Sequence, residues 1–432
     1  MISRIVSILK SVKNDGWLIN DTLTESIELF FVKKDLDMNR GKKVHHINVT
    51  VYVDFLEDGT KYKGSSTTKI SPTMSEEEIK DALEVASLAA GYVKNEYYDL
   101  VSPSNEELIY PSSNFSEGKM RDYIPGLVES VYKVDNFENG KVNSAEFFIN
   151  KSNIRIMNSL GVDIAYTKYT GMIELITDWK EDIEEVELYQ MINFSEYNSE
   201  DISRSVENML NETKQRALAK PLPELKDVPV LLSKGAIKEL FDYYKVRADA
   251  KPKYEGFFNY EIGANIQGDV KGDKVNITVL PNLINSTNSS PCDSNGFVLK
   301  EVEIIKDGLL NNYIGDKRYS NYVGVKPTGI IGNTKVAVGS TPESILKKDP
   351  YLELVAFSDF QVNPITGNFG GEIRLARYFD GESITPYYGG SITGNVTSIQ
   401  EDMIFSKEDQ QINNFLGPKY VKIKNFSLTP SE

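Results

Sequence analysis

One cysteine, Cys292, and two adjacent histidines, His45 and His46, are all the thiol and imidazole chemistry in 432 residues. A lone thiol cannot close an internal disulfide, and zinc or iron–sulfur sites built from clustered thiolates need several. Long apolar runs are missing as well. Segments such as Ser87–Gly91 and Val228–Leu232 fall far short of the about 20 residues a spanning helix requires, so no membrane span is expected. Met1–Lys13 mixes Arg and Lys into a short apolar pattern, with no uninterrupted apolar stretch and no small-residue cleavage site. It reads as a helix and points to a cytoplasmic location. Positive charge is scarce too: 48 Lys+Arg stand against 63 Asp+Glu, a net charge of −15, without a basic block. Clustered cations supply most of the affinity for a phosphate backbone, so direct nucleic-acid binding is not expected.

What is present is enough apolar material, 40% of residues, for two or three domains with their own cores. From Ser26 to Ile70, β-branched and aromatic residues come in runs. Turn-forming residues at Asp37–Gly41 and Glu57–Gly59 predict a three-stranded antiparallel meander with His46–Phe55 as its middle strand. After Ser75 the apolar spacing becomes helical, and Ser75 with Glu78 forms a capping box. Val101–Lys119 is rich in Ser, Pro and Asn and reads as a loop. Ser144–Met157 and Asp163–Asp178 form a second hairpin around Asn158-Ser-Leu-Gly161. Ile202, Val206, Met209, Leu210, Thr213 and Ala217 mark a long amphipathic helix that stops at Lys220-Pro-Leu-Pro223.

That stop divides the chain into residues 1–220 and 221–432. Beyond it lie a short buried strand at Val228–Leu232, a helix with Ile237, Leu240, Phe241, Tyr244 and Ala248 on one face, and then short strands to the end. Pro281–Gly296, dense in Asn and Ser, reads as a mobile loop. The expected fold class is α+β: an N-terminal α/β domain with an antiparallel sheet and long amphipathic helices, then a mostly-β domain.

Neighbouring residues on a strand project to opposite faces, so His45 and His46 cannot chelate one ion together. Asp35-Leu-Asp-Met-Asn-Arg-Gly41 begins like an EF-hand loop, but its Gly comes one place late and the twelfth position is His46 in place of Glu; a hairpin turn is the better reading. No G-x-S-x-G elbow, G-x-x-x-x-G-K-[ST] or G-x-G-x-x-G occurs. Cys292 has no nearby Lys or Arg to activate it, and its replacement by Ser is expected to leave stability nearly unchanged.

Short signals in the second half nevertheless follow a definite order. Arg216-Ala-Leu-Ala-Lys-Pro-Leu-Pro223 leads to Val228-Pro-Val-Leu-Leu-Ser233, then Ile262-Gly263, Asp293-Ser-Asn-Gly296 and Ile305-Lys-Asp-Gly-Leu-Leu-Asn-Asn-Tyr313. Thr366-Gly-Asn-Phe369, Gly381-Glu-Ser-Ile-Thr-Pro386 and Ile392-Thr-Gly-Asn395 complete the series, and glycines 263, 296, 308, 367 and 394 are expected to set tight turns. In this order, and in Asn158-Ser159 followed by Gly161, the sequence resembles the TldD/PmbA family, once called modulators of DNA gyrase. The resemblance runs from about Ser26 to the C-terminus and is strongest after Arg216.

The resemblance implies a link to zinc peptidases, whose TldD-type subunit carries H-E-x-x-x-H on the first helix of the C-terminal domain and a further Cys near the end. The matching helix here is Gly235–Lys245, with Lys238, Glu239 and Tyr243 at the degenerate metal-helix positions, and Gly-Asn-Phe-Gly-Gly371 stands where the Cys would be. The chain therefore resembles the TldE/PmbA-type subunit that lacks the zinc motif. The implied role is non-catalytic, without a cofactor of its own, as a homo- or hetero-oligomer with a TldD-type metallopeptidase subunit acting on unfolded peptides. A stand-alone hydrolase or metal-dependent enzyme using an unrecognised carboxylate site is the other reading the residues leave open.

Overall fold

Alternation of apolar and polar residues builds one antiparallel sheet in the first half. The computed structural model describes residues 1–181 and 184–431. Its first sheet comprises β1 (Gly16–Val32), β2 (Asp35–Glu57), β3 (Thr60–Ile70), β4 (Gly140–Asn158), β5 (Asp163–Glu181) and β6 (Glu184–Phe194), in the order β3-β2-β1-β4-β5-β6. Helices α1 (Ile2–Leu9), α2 (Glu76–Ala90), α3 (Ile124–Tyr132) and α4 (Ser199–Ala217) all pack on one face. Ile19, Val49 and Val51 meet α1 and α2 there, while Leu29, Phe147 and Ile149 meet α3 and α4. The Ser75–Glu78 capping box is present at the start of α2.

The meander is present, but its first turn is not at Asp37–Gly41. Those residues lie within β2, where Met38–Gly41 pair with Ile27–Phe30 of β1 and Asp37 falls at a bulge, and the chain reverses at Lys33-Lys34. The reason is tertiary. Arg40 and Lys42 flank Glu28, a carboxylate only 4% exposed, with Arg40 Nε 2.6 Å and Lys42 Nζ 2.5 Å from its oxygens. The Lys33 N–H donates to the Asn143 carbonyl at 2.7 Å, which holds that residue at φ +55°. Strand β2 thus extends well beyond His46–Phe55. The segment that resembled an EF-hand start is neither a calcium loop nor a turn.

The second half contains β7 (Lys220–Pro221), β8 (Val230–Ser233), α5 (Gly235–Arg247), α6 (Ala250–Tyr254), β9 (Ile277–Leu280), β10 (Val302–Lys306), β11 (Leu309–Leu310), α7 (Lys317–Tyr322) and β12 (Asn333–Val336). It continues with β13 (Tyr351–Val362), β14 (Asn368–Phe379), β15 (Ile384–Tyr388), β16 (Ser391–Asn395), β17 (Ile404–Phe405), β18 (Asp409–Ile412), β19 (Phe415–Pro418), β20 (Tyr420–Ile423) and β21 (Ser427–Thr429). They form a six-stranded sheet, β11-β10-β9-β12-β19-β18, and a nine-stranded one running β17-β20-β8-β13-β14-β15-β7 with β16 and β21 branching from β14. Helix α5 shares a core with strands of both sheets, and its Phe241 stacks on Phe415 and meets Phe405 edge-on.

The sheet face of the first half that carries no helices is covered at one end by the second half, where Leu18, Tyr52, Ile156 and Ile164 pack with Cys292 and partly buried Phe297. Pro281–Gly296, expected to be mobile, is pinned there. Ser286, Ser289, Cys292 and Asp293 are buried, and Asn285 Oδ1 accepts the N–H groups of Ser195 and Glu196 at 2.9 and 3.0 Å. Its Asn and Ser side chains satisfy backbone groups in place of water, which a composition count cannot distinguish. Gly394 is a second correction. It lies in β16 with no positive φ, and a Cβ there would come 2.4 Å from the Phe369 ring; close packing is what requires it. Among the described residues no helix is long and apolar enough to cross a membrane.

Candidate functional site

Helix α5 follows β8 through Lys234, whose φ of +54° turns the chain sharply at Gly235. The left-handed backbone costs a non-glycine residue about 1 kcal/mol or more. It is held by the Lys234 ammonium, 2.6 Å from Glu212 Oε1 on α4.

Lys238, Glu239 and Asp242 are half-buried on α5. Lys238 Nζ lies 2.8 Å from Asp242 Oδ2 and 3.5 Å from Glu239 Oε1. Burial opposes the ammonium charge, but Asp242 and then Glu239 outweigh it and hold the amine above its ordinary pKa. Glu239 is thereby an ion-pair partner. Tyr243 is only 2% exposed. The Arg247 guanidinium carbon sits 3.3 Å from its ring centroid, and Tyr244 meets the ring edge-on at 5.0 Å. Burial pushes the Tyr243 hydroxyl up despite the opposing Arg247.

Arg247 joins this helix to the turn before β14. Nη1 donates to the carbonyls of Tyr243 and Pro364 at 3.2 and 2.6 Å, and Nη2 to that of Ile365 at 3.2 Å. The turn closes at Gly367 (φ +79°), where a Cβ would lie 2.9 Å from the Tyr243 ring. Asn395 completes the junction. Its Nδ2 donates to the Thr366 carbonyl at 3.0 Å and to Asn368 Oδ1 at 2.8 Å, and Val396 N–H donates to the Gly367 carbonyl at 2.8 Å. The structure therefore brings three sequence features together: the helix position Tyr243, the start of Gly367–Gly371, and the Asn of Ile392-Thr-Gly-Asn395. Lys238 and Glu239 are held apart from that junction in their own carboxylate cluster. Sequence reasoning misses Arg247; the available signal was a charged residue one turn after Tyr243 on the same helix.

Zinc is held by thiolate, imidazole or carboxylate donors. A lysine ammonium has no lone pair, burial keeps the tyrosine hydroxyl protonated, and Arg247 adds a fixed positive charge beside it. These residues do not fit a zinc ion. Among the described residues no group of three or more His, Cys, Asp and Glu is placed to hold a metal. His45 Nε2 bonds Asp21 Oδ1 at 2.6 Å, while His46 is exposed. Cys292 is 2% exposed and its thiol is pushed up to about 12, first by burial and then by Asp293, so it is a core residue and not a loop nucleophile.

Residues 225–430 match the family described as the PmbA/TldA metallopeptidase C-terminal domain. The uncharacterized protein MJ0231 of Methanocaldococcus jannaschii is 24% identical over 285 residues, 62% of this chain and 65% of that relative's length. Among solved structures, TldE from Thermococcus kodakarensis superposes with a TM-score of 0.81 at 16% identity, covering 100% of both chains. A Thermotoga maritima protein named for modulation of a DNA gyrase superposes with a TM-score of 0.77 at 18% identity, covering 100% of this chain and 99% of that one. At such identities the superpositions speak for the fold, α+β throughout. The family match itself covers residues 225–430, the half that holds Gly367 and Asn395, and there the chain carries a PmbA/TldD-type C-terminal domain.

Proposed function

We propose that this chain is a non-catalytic, TldE/PmbA-like subunit of a TldD-type zinc metallopeptidase complex that cleaves unfolded peptides. The supporting observation is the chemistry of the degenerate positions. Lys238 is tied to Asp242 and Glu239, and Tyr243 is buried beneath Arg247, so neither position offers a zinc donor. A zinc-bound hydroxide makes an amide attackable near neutral pH, and nothing at these positions replaces it. In this reading residues 1–220 and 221–432 are its two domains, the assembly is cytoplasmic, and the fold has been retained for association with a related subunit.

The test mixes the purified chain with a TldD-type partner and assays cleavage of an unstructured peptide by each alone, by the pair, and by the pair carrying Glu239→Ala. Activity in the pair alone, unchanged by Glu239→Ala, is the expected result. Robust cleavage by this chain alone that Glu239→Ala abolishes would refute the proposal.

A further inference from the structure

Strand β2 outruns one of its two neighbours. Its pairing with β3 begins at Ile47, opposite Ile70, whereas β1 accompanies it back to Asp35. Residues 35–46 are therefore an edge of the first sheet, and among the described residues their backbone pairs only with β1. At about 3.3 Å per residue this edge presents roughly 40 Å of outward-pointing N–H and C=O groups. Residues 35–44 are all exposed, Leu36, Met38 and Val44 among them.

Proteins normally blunt such an edge with short strands, prolines, bulges or outward-facing lysines. This one has a single bulge, at Asp37, and no proline, and its cations are turned back into the sheet. Arg40 and Lys42 both hold Glu28, Lys43 Nζ lies 2.8 Å from Glu25 Oε1, and His45 Nε2 bonds Asp21 Oδ1 at 2.6 Å. Asp35 and Asp37 have no cationic partner among the described residues. Lys34, in the turn before the strand, is drawn to Asp135 at 3.5 Å. The edge is thus divided, with unpaired acid at one end and Lys42, Lys43 and His45 at the other. Lys43 keeps 64% of its side chain exposed, enough to face a second carboxylate as well. Laid antiparallel on its own copy, each acidic end meets the basic end of the other strand; laid parallel and in register, like charge meets like. An extended peptide gains nothing from this division of charge, and a second copy does. A two-fold contact also closes, leaving neither edge open.

We propose that the free edge of β2, residues 35–46, pairs antiparallel with the same edge of a second copy of this chain and joins two six-stranded sheets into one. The inference goes beyond the function proposed above, since it requires neither a TldD-type subunit nor a peptide.

Sedimentation velocity on the full chain from roughly 1 to 100 μM should show a monomer–dimer equilibrium. Hydrogen–deuterium exchange at the two ends of that range should show added protection on residues 35–46 at the higher concentration. Asp35→Lys/Asp37→Lys makes both ends of the edge basic and should weaken the dimer about tenfold. Adding His46→Glu, which breaks no ion pair of the fold, puts an acid at the opposite end and should recover part of that loss; melting temperature is checked for each variant. A chain that stays monomeric across the range, a dimer protected elsewhere, a folded Asp35→Lys/Asp37→Lys variant that dimerises like the parent, or no recovery with His46→Glu would overturn the proposal. Protection of residues 35–46 that appears only when a TldD-type subunit is added would overturn it too, assigning the edge to that subunit. None of these readouts involves cleavage, so they are independent of whether a complex cuts peptides.

Discussion

Helix α5 and the cleft at Lys317–Arg318, lined by both halves of the chain, both gather cations, but they use them differently. In α5 the cations are tied down inside the protein: Arg247 by three carbonyls, with its buried Nε left unpartnered, Lys238 by two carboxylates and Lys234 by Glu212. At the cleft, Lys317 and Arg318 share a chamber lining with Asp99 and Asp316 without a direct ion pair to either, and Arg318 is fixed by Asn95 and the Tyr322 hydroxyl. A carboxylate partner balances a cation's charge, whereas carbonyls and other neutral acceptors fix its position and leave the charge in place. Of the helix positions that match the family's metal motif, Tyr243 is packed into the junction with Arg247 and the 363–367 turn, and Lys238 is tied into its carboxylate cluster.

Substitutions can break or sharpen this contrast. The largest effect is expected at Arg247. Met would keep its apolar bulk but leave three carbonyls without their charged donor, lowering stability by about 4 kcal/mol in urea denaturation. A variant as stable as the parent would mean that the guanidinium is not a cross-link.

Asp293, in the loop that supplies Asn295 and Phe297 to the cleft wall, comes next. Its Oδ2 is buried without a partner, and its pKa is pushed from 3.8 up to about 6, chiefly by burial. Between these values the folded chain holds a proton that the unfolded chain has lost. Stability is therefore highest below about pH 4 and falls by about 3 kcal/mol as pH rises to about 6, for this group taken alone. Asp293→Asn keeps the Oδ1 acceptor and should flatten that part of the pH profile in denaturation midpoints measured from pH 4 to 7.

Gly367→Ala places a methyl group 2.9 Å from the Tyr243 ring at φ +79°, for an expected cost of about 2 kcal/mol readable as a lower melting temperature. Cys292→Ser puts a hydroxyl among apolar neighbours and should cost about 1 kcal/mol, more than the negligible change expected of an exposed loop thiol. Smallest of all, Glu239→Ala removes one half-exposed ion-pair partner of Lys238 and should change stability by less than about 0.5 kcal/mol. A loss of several kcal/mol there would break the distinction between the junction at Tyr243 and the carboxylate cluster beside it.

The α2 start, the Asn158–Gly161 hairpin and the end of α4 were legible because each depends on residues a few positions apart: Ser75 with Glu78, Asn158 with Val162, and the prolines after Ala217. The turn misplaced at Asp37–Gly41 has the opposite character. Its residues favour turns locally, yet Glu28, some twelve positions away, recruits Arg40 and Lys42 into a strand. Composition made Pro281–Gly296 look unanchored, and only packing against Ser195, Glu196 and Asn333 shows where its polar groups are satisfied.

The sequence by itself determined which chemistry is missing. With two adjacent histidines, one cysteine, and Lys238 and Tyr243 in the helix positions, no folding of this chain can assemble a zinc site of the His-rich kind, because the donor atoms are not there. The ordered Gly and Asn motifs likewise belong to the sequence, since backbone geometry ties them to particular turns and close approaches. Which residues occupy the place of that chemistry was decided only by tertiary structure. Arg247 meets the 363–367 turn across more than a hundred residues, and Arg318 reaches Asn95 across more than two hundred. Partners so distant in sequence are set by how the two sheets and their shared core pack, and no local pattern encodes them.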